Sequence, residues 1–363
     1  MNMGIPAPEQ RSQRADLIAL LEKDLGETAR FIAKQSRRPA ETVEAHLQWF
    51  LLENPARGKN DPLGFGLMVA DQLAGCILCV PQFFQFGHER ILLKGSSSFY
   101  VDDHHRGRGG LIFLKYSRMA NQWPLFGTSA NAEAAALWKA AGAQPIAYSA
   151  AELFGVLHWP PVAEEVVHRK YSNRLLSRVA GSPVSHLARL LRPLKIEFEN
   201  CATLRQLTSA EQVNDLPIHG RGAKLTAFRD PAYIRWRYFS GRDHTISAFA
   251  FRSHRPDQEV LVTVNQRTRG FRDQIKTLNV LDVYPEVPVE EWLRILGALL
   301  ARYQKTVDAV VLRNQNPGLQ DLFCRRGFQL RTFNAPTGWY LDKAHLLPTS
   351  DWYPVPADGD GLI

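Results

Sequence analysis

A glycine-rich basic turn is the part of this sequence best suited to chemistry. It reads His104-His105-Arg106-Gly107-Arg108-Gly109-Gly110-Leu111 and separates a predicted strand from a predicted helix. Glycines let backbone N–H groups approach an anion closely. A helix N-terminus adds partial positive charge and free N–H donors, and the two arginines add fixed charge. The pattern predicts a pyrophosphate site; the alternative is a flexible basic surface turn without a ligand.

Two common phosphate-binding motifs do not fit this turn. A P-loop ends in Gly-Lys-Ser/Thr, whereas this turn ends in Gly109-Gly110-Leu111. A dinucleotide-binding turn follows the first strand of a βαβ unit. This one follows the third or fourth predicted strand, after antiparallel hairpins.

With both motifs excluded, residues 96–146 resemble the GNAT acetyltransferase superfamily. Its cofactor signature, Arg/Gln-x-x-Gly-x-Gly/Ala, is matched by residues 106–111, with Leu111 in place of the last Gly or Ala. Its second signature, Asn-x(5)-Leu-Tyr-x-x-x-Gly-Phe, is similar to residues 131–142 and again to residues 316–328. The resemblance covers both halves of the chain, but neither the segment between them nor the C-terminal tail.

The resemblance implies acetyl-CoA or another acyl-CoA as co-substrate, held in a splay between two parallel strands. Backbone groups of the fourth strand then hold the thioester and pantetheine, the turn takes the pyrophosphate, and Asn131 lies near the pantetheine. The cofactor-binding residues implied are Phe99, Tyr100, Val101, Arg106, Gly107, Arg108, Gly109, Gly110, Leu111 and Asn131.

Acyl transfer to an amine needs a base for the amine and an acid for the leaving thiolate, and backbone N–H groups can polarise the carbonyl. The family often uses a Tyr before the closing helix turn as the acid, but Trp138 and Phe323 stand at those positions. Neither donates a proton as a phenol does. Ser98 and Tyr100 alternate on one face of the predicted fourth strand and are the catalytic candidates; the alternative is that they are ordinary strand residues.

The second copy of the motif region lacks the glycine turn. At that place the chain reads Tyr284-Pro285-Glu286-Val287-Pro288-Val289. Glu286 would repel phosphate, and Pro288 has no N–H to donate. The sequence therefore predicts that only the first half binds CoA.

Cys76 and Cys79 form a C-x-x-C spacing inside an apolar run. A zinc site needs further ligands and a redox pair favours a helix N-terminus, so the pair is predicted to be buried strand residues and no metal site is predicted. Four cysteines in 363 residues favour a reducing cytoplasm. Neither a signal peptide nor a membrane span is predicted.

An internal repeat organises the elements that position these residues. Asn131, Leu137, Trp138 and Gly142 recur as Asn316, Leu322, Phe323 and Gly327, and residues 47–49 recur as 234–236, shifted by 187. Each Asn suits an N-cap and each Gly a left-handed helix stop. The repeat predicts a duplicated fold.

The predicted fold class is mixed α/β, with mostly antiparallel sheet flanked by helices in two tandem GNAT-like acyl-CoA N-acyltransferase domains. The predicted units are 1–150 (acyl-CoA-binding), 151–195 (helical linker), 196–345 (degenerate copy) and 346–363 (tail). Helical spacing of leucines predicts an opening helix, containing Leu17, Leu20, Leu21 and Leu25. Strands are predicted to follow at 64–70, 73–81 and 89–101.

The densest aromatic and basic run covers residues 229–238. It could recognise an anionic or sugar acceptor, or stack on RNA bases. The alternative is an amphipathic helix that starts after Asp230-Pro231 and buries its rings.

The formal net charge of +8 favours a polyanionic partner without naming one. The leading hypothesis is an acyl-CoA-dependent N-acyltransferase that modifies an amine of a small molecule or sugar. A Fem-like aminoacyl transferase that uses charged tRNA and a non-catalytic acyl-CoA-binding module are the alternatives. Nucleic acid is expected as a partner only under the tRNA alternative.

Overall fold

A computed structural model describes residues 15–147, 149–171, 194–199, 203–214, 216, 225–240, 245–254, 259–270, 273–313, 317–334 and 336–347. Residues 1–14, residues 172–193 of the predicted linker and residues 348–363 of the predicted tail lie outside this range.

The first half of the chain alternates hairpin strands with helices. Its elements are β1 (Ala15–Leu20), α1 (Leu25–Ser36), α2 (Ala40–Leu47), β2 (Gly64–Val69), β3 (Gln72–Phe86), β4 (Glu89–Val101), α3 (Gly109–Ser117), β5 (Leu125–Gly127), α4 (Ala132–Ala140) and β6 (Gln144–Pro145).

After one additional strand and helix, the second half repeats this order with two strands added, at Thr226–Ala227 and Trp339–Leu341. Its elements are β7 (Ala151–Val156), α5 (Trp159–Tyr171), β8 (Leu204–Leu207), α6 (Glu211–Asn214), β9 (Thr226–Ala227), α7 (Pro231–Ile234), β10 (Ile246–Arg252), β11 (Glu259–Arg269), β12 (Ile275–Tyr284), α8 (Val289–Tyr303), β13 (Ala309–Arg313), α9 (Pro317–Arg325), β14 (Gln329–Thr332) and β15 (Trp339–Leu341).

The strands form two mixed, mostly antiparallel sheets. The first has the order β1-β2-β3-β4-β5-β15-β6, with β9 also on β3, and the second has the order β8-β10-β11-β12-β13-β7-β14. The only parallel neighbours among the paired strands described are β4 with β5 and β12 with β13. The predicted fold class is therefore confirmed.

Each sheet contains a strand from the opposite half of the chain. The strand β7 follows the first half but lies between β13 and β14 of the second sheet. The strand β15 ends the second half but lies between β5 and β6 of the first sheet. The two repeats thus exchange equivalent strands.

This exchange changes the interpretation of residues 151–195. The sequence predicts a linker of helices, but residues 151–156 form a strand buried within the second sheet. A helix does follow at α5, while residues 172–193 lie outside the described range. The domain boundaries stay a prediction. The structure shows that β7 and β15 each pair within the sheet of the opposite half.

The predicted opening helix is wrong. Residues 15–20 form β1, which pairs antiparallel with β2 from Ala15–Val69 to Leu20–Gly64. Leu17 and Leu21 are exposed on this edge. Long-range pairing with β2 overrides the helical spacing of the leucines, and the helix begins at Leu25, where that pattern ends.

The repeated tryptophans form a reciprocal contact between the halves. The Trp49 indole Nε1 donates to the Trp236 carbonyl at 2.7 Å, and the Trp236 Nε1 donates to the Trp49 carbonyl at 2.9 Å. Both residues belong to one apolar core that draws residues from both halves. A reciprocal bond of this kind is the contact expected between two copies of one fold.

The aromatic and basic run at residues 229–238 is part of this core. The side chains of Tyr233, Trp236 and Arg237 are buried, and Asp230 caps α7 by accepting from the Tyr233 amide at 2.7 Å. The structure therefore favours the amphipathic-helix interpretation, since buried rings are not available for stacking on RNA bases.

Candidate functional site

The centre of the first sheet opens between its two parallel strands. The ladder between β4 and β5 has the pairs Lys94–Leu125 and Gly95–Phe126, after which β4 continues to Val101 without a β5 partner. A Cβ on Gly95 would lie 2.8 Å from Phe126 Cζ, so glycine permits this close approach. Beyond it, the backbone groups along one edge of β4 have no partner on β5.

The opening contains a cavity of about 800 Å³, called here the splay cavity. This volume is within the roughly 300–1,000 Å³ typical of ligand pockets. The predicted residues that line it are Ser98, Phe99, Tyr100, Val101, Arg106, Gly107, Gly109, Gly110 and Asn131. Arg108 and Leu111 do not line it, and the Leu111 side chain is exposed.

A β-bulge lies at Ser98 and Phe99, near the end of β4 and shortly before the glycine-rich turn. Cys76 pairs with Tyr100 and Leu78 with Ser97, so two residues of β4 oppose one residue of β3. Ser98 has φ of +49°, which is uncommon for a residue with a side chain. The simple alternation used to predict Ser98 and Tyr100 therefore fails here, although both residues line the cavity.

The basic turn forms a 3₁₀ helix from Asp103 to Arg108, and α3 begins at Gly109. A Cβ on Gly107 would meet nothing within 4 Å, and one on Gly110 would only reach Leu137. A Cβ on Gly109 would lie 3.2 Å from Val101 Cγ2. Gly107 and Gly110 thus leave free space at the helix start, while a side chain at Gly109 would press on Val101.

Asp102 fixes the entry to this turn. Its carboxylate accepts from the His104 amide at 3.1 Å and lies 3.5 Å from Lys34 Nζ. The hydrogen bond from the His104 amide lowers the pKa of Asp102; burial opposes this effect, and the charge of Lys34 adds a smaller lowering.

Two carboxylates that sequence reasoning missed line the splay cavity beside the turn. Asp103 forms an ion pair with Arg106, with Oδ1 and Nε 2.9 Å apart and both side chains exposed. Glu133 lies on the first turn of α4. Both would repel a phosphate, so the electrostatic advantage of this turn is smaller than its arginines suggest. The spacing of Asp103 three residues before Arg106 is the signal that could have shown the pairing.

Asn131 begins α4 as its N-cap. Its side-chain oxygen accepts from the Ala134 amide at 2.8 Å, and Gly142, at φ of +86°, follows the helix end. Gly327 has the same left-handed conformation after α9. Asn316 lies outside the described residues.

Trp138 forms the inner wall of the splay cavity. It is buried and meets the rings of Phe113 and Tyr116 edge-on, at 5.2 and 6.0 Å between centroids. Burial raises the pKa of Tyr116 well above its ordinary value, and the Tyr116 hydroxyl donates to the Lys94 carbonyl at 2.9 Å. These rings are therefore packing residues.

The equivalent place in the second half has no comparable cradle. The helix α8 starts after Pro288, and its own Glu291 is buried near this end. Glu291 accepts from the His254 amide at 3.2 Å and pairs with Arg294. A buried carboxylate at this helix start opposes phosphate binding, and CoA binding by the first half alone stays a prediction.

A second cavity of about 1,500 Å³, called here the central cavity, separates the halves. Helices α1 and α2 form one wall, and strands β11, β12 and β13 contribute to the other. It meets the splay cavity at Gln35, Ser98, Tyr100 and Ser129, which line both. Sequence reasoning missed this cavity because its walls come from distant segments.

The remaining chemical candidates are structural. Cys76 and Cys79 are buried in β3 and belong to different core clusters on its two faces, so they share neither a disulfide nor a metal. Within the described ranges, no group of three or more His, Cys, Asp or Glu is placed to hold a metal ion. No helix described here is long and apolar enough to cross a membrane.

Comparison with known proteins gives likenesses of fold alone. No family model matches the sequence, and no curated protein matches it. A probable N-acyltransferase from Enterococcus faecalis V583 superposes with a TM-score of 0.57 and 11% identity, over 90% of this chain and 72% of that one. A GCN5-related N-acetyltransferase from Anabaena variabilis gives 0.54 and 12% identity, over 90% of this chain and 72% of that one.

Saccharomyces cerevisiae N-myristoyltransferase, crystallised with myristoyl-CoA, superposes with a TM-score of 0.53 and 10% identity. The match covers 94% of this chain and 80% of that one. The chain therefore has the GNAT-like fold, and the exchanged sheets show it in two copies. The fold is that of acyl-CoA-dependent N-acyltransferases as a class.

Proposed function

We propose that this protein transfers an acyl group, acetyl in the simplest case, from acyl-CoA to an amine of a small molecule or sugar. The observation that carries the proposal is the splay cavity. It joins the free edge of β4, a β-bulge and a glycine-rich helix start, and it opens at Ser98 and Tyr100 into a second cavity large enough for an acceptor.

The residues present fit an acyl-CoA. Gly107 and Gly110 leave room for a pyrophosphate at the start of α3, where helix N–H groups favour an anion. Beyond Gly95, the edge of β4 that no longer pairs with β5 faces the cavity and would offer backbone amides to a pantetheine arm, which itself carries amides. The thioester then lies at the bulge, close to where the two cavities meet.

In this reaction the amine nitrogen forms a bond to the thioester carbonyl carbon, and the bond from carbon to sulfur breaks. The amine loses one proton and the thiolate of CoA gains one. Backbone N–H groups at the bulge stabilise the developing oxyanion. We assign Tyr100, with Ser98 beside it, to the proton transfers, since Trp138 is buried among packing rings.

The free thiols of Cys76, Cys79 and Cys324 suit a reducing compartment, and we propose the cytoplasm as the site of action. The preferred acyl chain length is to be identified by comparing the affinities of acyl-CoAs of different lengths.

A single substitution can test the proposed cofactor site without changing the stability of the fold. Gly107→Asp adds a negative charge in open space, so we expect CoA affinity to fall by at least about tenfold with an unchanged melting temperature. Leu111→Asp is the matched control: it adds the same charge in the first turn of α3, outside the splay cavity. Binding is measured by calorimetric titration of acetyl-CoA and longer acyl-CoAs.

Unchanged CoA affinity in Gly107→Asp overturns the site assignment. Tight tRNA binding that weakens with salt, without acyl-CoA binding, supports the aminoacyl transferase alternative. Acyl-CoA binding without thiol release across an amine library supports the binding module.

Tyr100→Phe is expected to lower thiol release at least about tenfold while CoA affinity is retained.

A further inference from the structure

The lining of the central cavity is positively charged on both walls. Arg38 lies on the first-half wall, and Arg267, Lys276 and Arg313 lie on the second-half wall. No Asp or Glu is among the described residues that line it. This contrasts with the splay cavity, whose lining includes Asp103 and Glu133 beside Arg106.

Arg313, on the second-half wall, shares a buried carboxylate with two further arginines. Glu152 is buried and lies 3.1 Å from Arg313, 3.3 Å from Arg269 and 3.9 Å from Arg331. One carboxylate therefore forms ion pairs with three guanidinium groups, and these four side chains together carry net positive charge. Burial, with repulsion from Arg313 and Arg267, lowers the pKa of Arg269 despite the attraction of Glu152.

The exchanged strand β7 builds this arrangement. It brings Glu152 opposite Arg313 in the ladder with β13, which holds the guanidinium at the edge of the cavity. On the neighbouring hairpin, Lys276 lies opposite Thr268, and both line the cavity. The Asp308 carboxylate accepts a hydrogen bond from the Lys276 amide at 2.8 Å, and Asp308 is not among the residues that line the cavity.

We infer that the acceptor is an anionic amine, meaning an amine that also carries a carboxylate or phosphate group. This inference rests on the proposed function and names its substrate class. The amine meets the thioester at Ser98 and Tyr100, and the anionic group binds Arg267, Lys276 and Arg313 across the cavity. Guanidinium groups bind carboxylate and phosphate through paired hydrogen bonds, whereas a polycationic amine is repelled by this lining.

The test compares matched pairs of amines on the full-length protein. Amino acids are compared with their carboxamides, and a phosphorylated amino sugar with the free sugar, by thiol release from acetyl-CoA. We expect the anionic member of at least one kind of pair to be preferred at least about tenfold in kcat/KM. The kind of pair that shows this preference identifies carboxylate or phosphate as the group.

The double variant Arg267→Glu/Lys276→Glu is expected to abolish the preference and to leave acetyl-CoA affinity unchanged. Arg325→Glu/Lys343→Glu, two exposed residues that line neither cavity, makes the same change of net charge and is expected to keep the preference. Equal or better use of neutral or cationic amines by the parent protein overturns the inference.

Direct binding of the same amines, measured by calorimetry without acyl-CoA, separates the two proposals. Selective binding of anionic amines without any thiol release contradicts the proposed function but keeps the central cavity as an anion site. Acyl transfer to amines without regard to their charge keeps the proposed function and contradicts this inference.

Discussion

Two cysteines show how a spacing motif depends on the face of a strand. Cys76 and Cys79 are three positions apart in β3, and an odd separation in a strand places side chains on opposite faces. Cys76 packs with the core shared by the halves and Cys79 with the core beneath α3. Both cysteines are buried strand residues, as the sequence predicts.

The two buried thiols are expected to make the protein less stable as the pH rises above 9. Burial raises the pKa of both to about 12, from 9.0. Because the folded state holds these protons more tightly than the unfolded state, their contribution is fully present below pH 9 and is lost as pH rises towards 12. Above pH 9, each buried thiol makes the free energy of unfolding fall by about 1.4 kcal/mol per pH unit. We expect Cys76→Ala and Cys79→Ala each to remove one such contribution, so that each variant loses stability less steeply with pH than the parent does.

Urea denaturation at several pH values above and below 9 measures this slope. Cys324→Ala removes an exposed thiol and serves as the control, with the parent slope expected. Parallel slopes for the parent and both core variants would contradict the predicted linkage.

At the scale of elements, a π-helical turn explains how the halves meet. Residues 48–52 and 235–239 both form such turns. The Glu53 amide bonds to the Gln48 carbonyl and the Ser240 amide to the Arg235 carbonyl, each five residues back. An α-helical bond four residues back would have used the carbonyls of Trp49 and Trp236. The wider turn leaves those carbonyls available to the indole of the opposite half.

Loss of either indole N–H is expected to destabilise the protein. Trp49→Phe leaves the buried Trp236 carbonyl without its donor, which costs about 1–3 kcal/mol, and Trp236→Phe has the symmetrical effect. Trp292→Phe is the matched control, because the buried Trp292 Nε1 has no hydrogen-bond partner within the described part of the chain. Each variant is compared by its free energy of unfolding.

The comparison between these variants isolates the hydrogen bond from the loss of ring volume. A larger cost at Trp49 and Trp236 than at Trp292 is expected. An equal cost at all three positions would contradict the structural role of the reciprocal bonds.

At the scale of the whole molecule, strand exchange makes each half depend on the other. The strand β15 completes the first sheet beside β5, although more than 190 residues separate them in sequence. Without it, the inner edges of β5 and β6 would be open, and open strand edges promote aggregation. Each half therefore lacks a strand of its own sheet when it is separated.

We expect truncation before residue 336, which removes β15, to destabilise the first half and to weaken acyl-CoA binding at the distant splay cavity. Truncation after residue 347 keeps every described strand and is the control. Soluble yield, urea midpoint and CoA titration measure the effect. If the shorter chain keeps the stability and CoA affinity of the longer one, the exchange is not required for the fold.

Features that depend on a few neighbouring residues are readable from the sequence alone. The glycines before α3, the Asn131 cap of α4 and the left-handed Gly142 and Gly327 act within one or two turns of chain. Their patterns therefore predicted the helix boundaries and the repeated fold. The leucine spacing near Leu17 failed because pairing with β2 decides the conformation of an edge strand.

Which strand completes which sheet, and where the central cavity lies, follow from the tertiary structure. These features depend on contacts between segments far apart in sequence, such as Glu152 with Arg313 and Trp49 with Trp236. Two equivalent strands of a duplicated fold carry the same local pattern, so nothing in the pattern says whether each pairs within its own copy or exchanges. The packing of both copies around their shared core makes that choice, and with it brings positive charge to the central cavity.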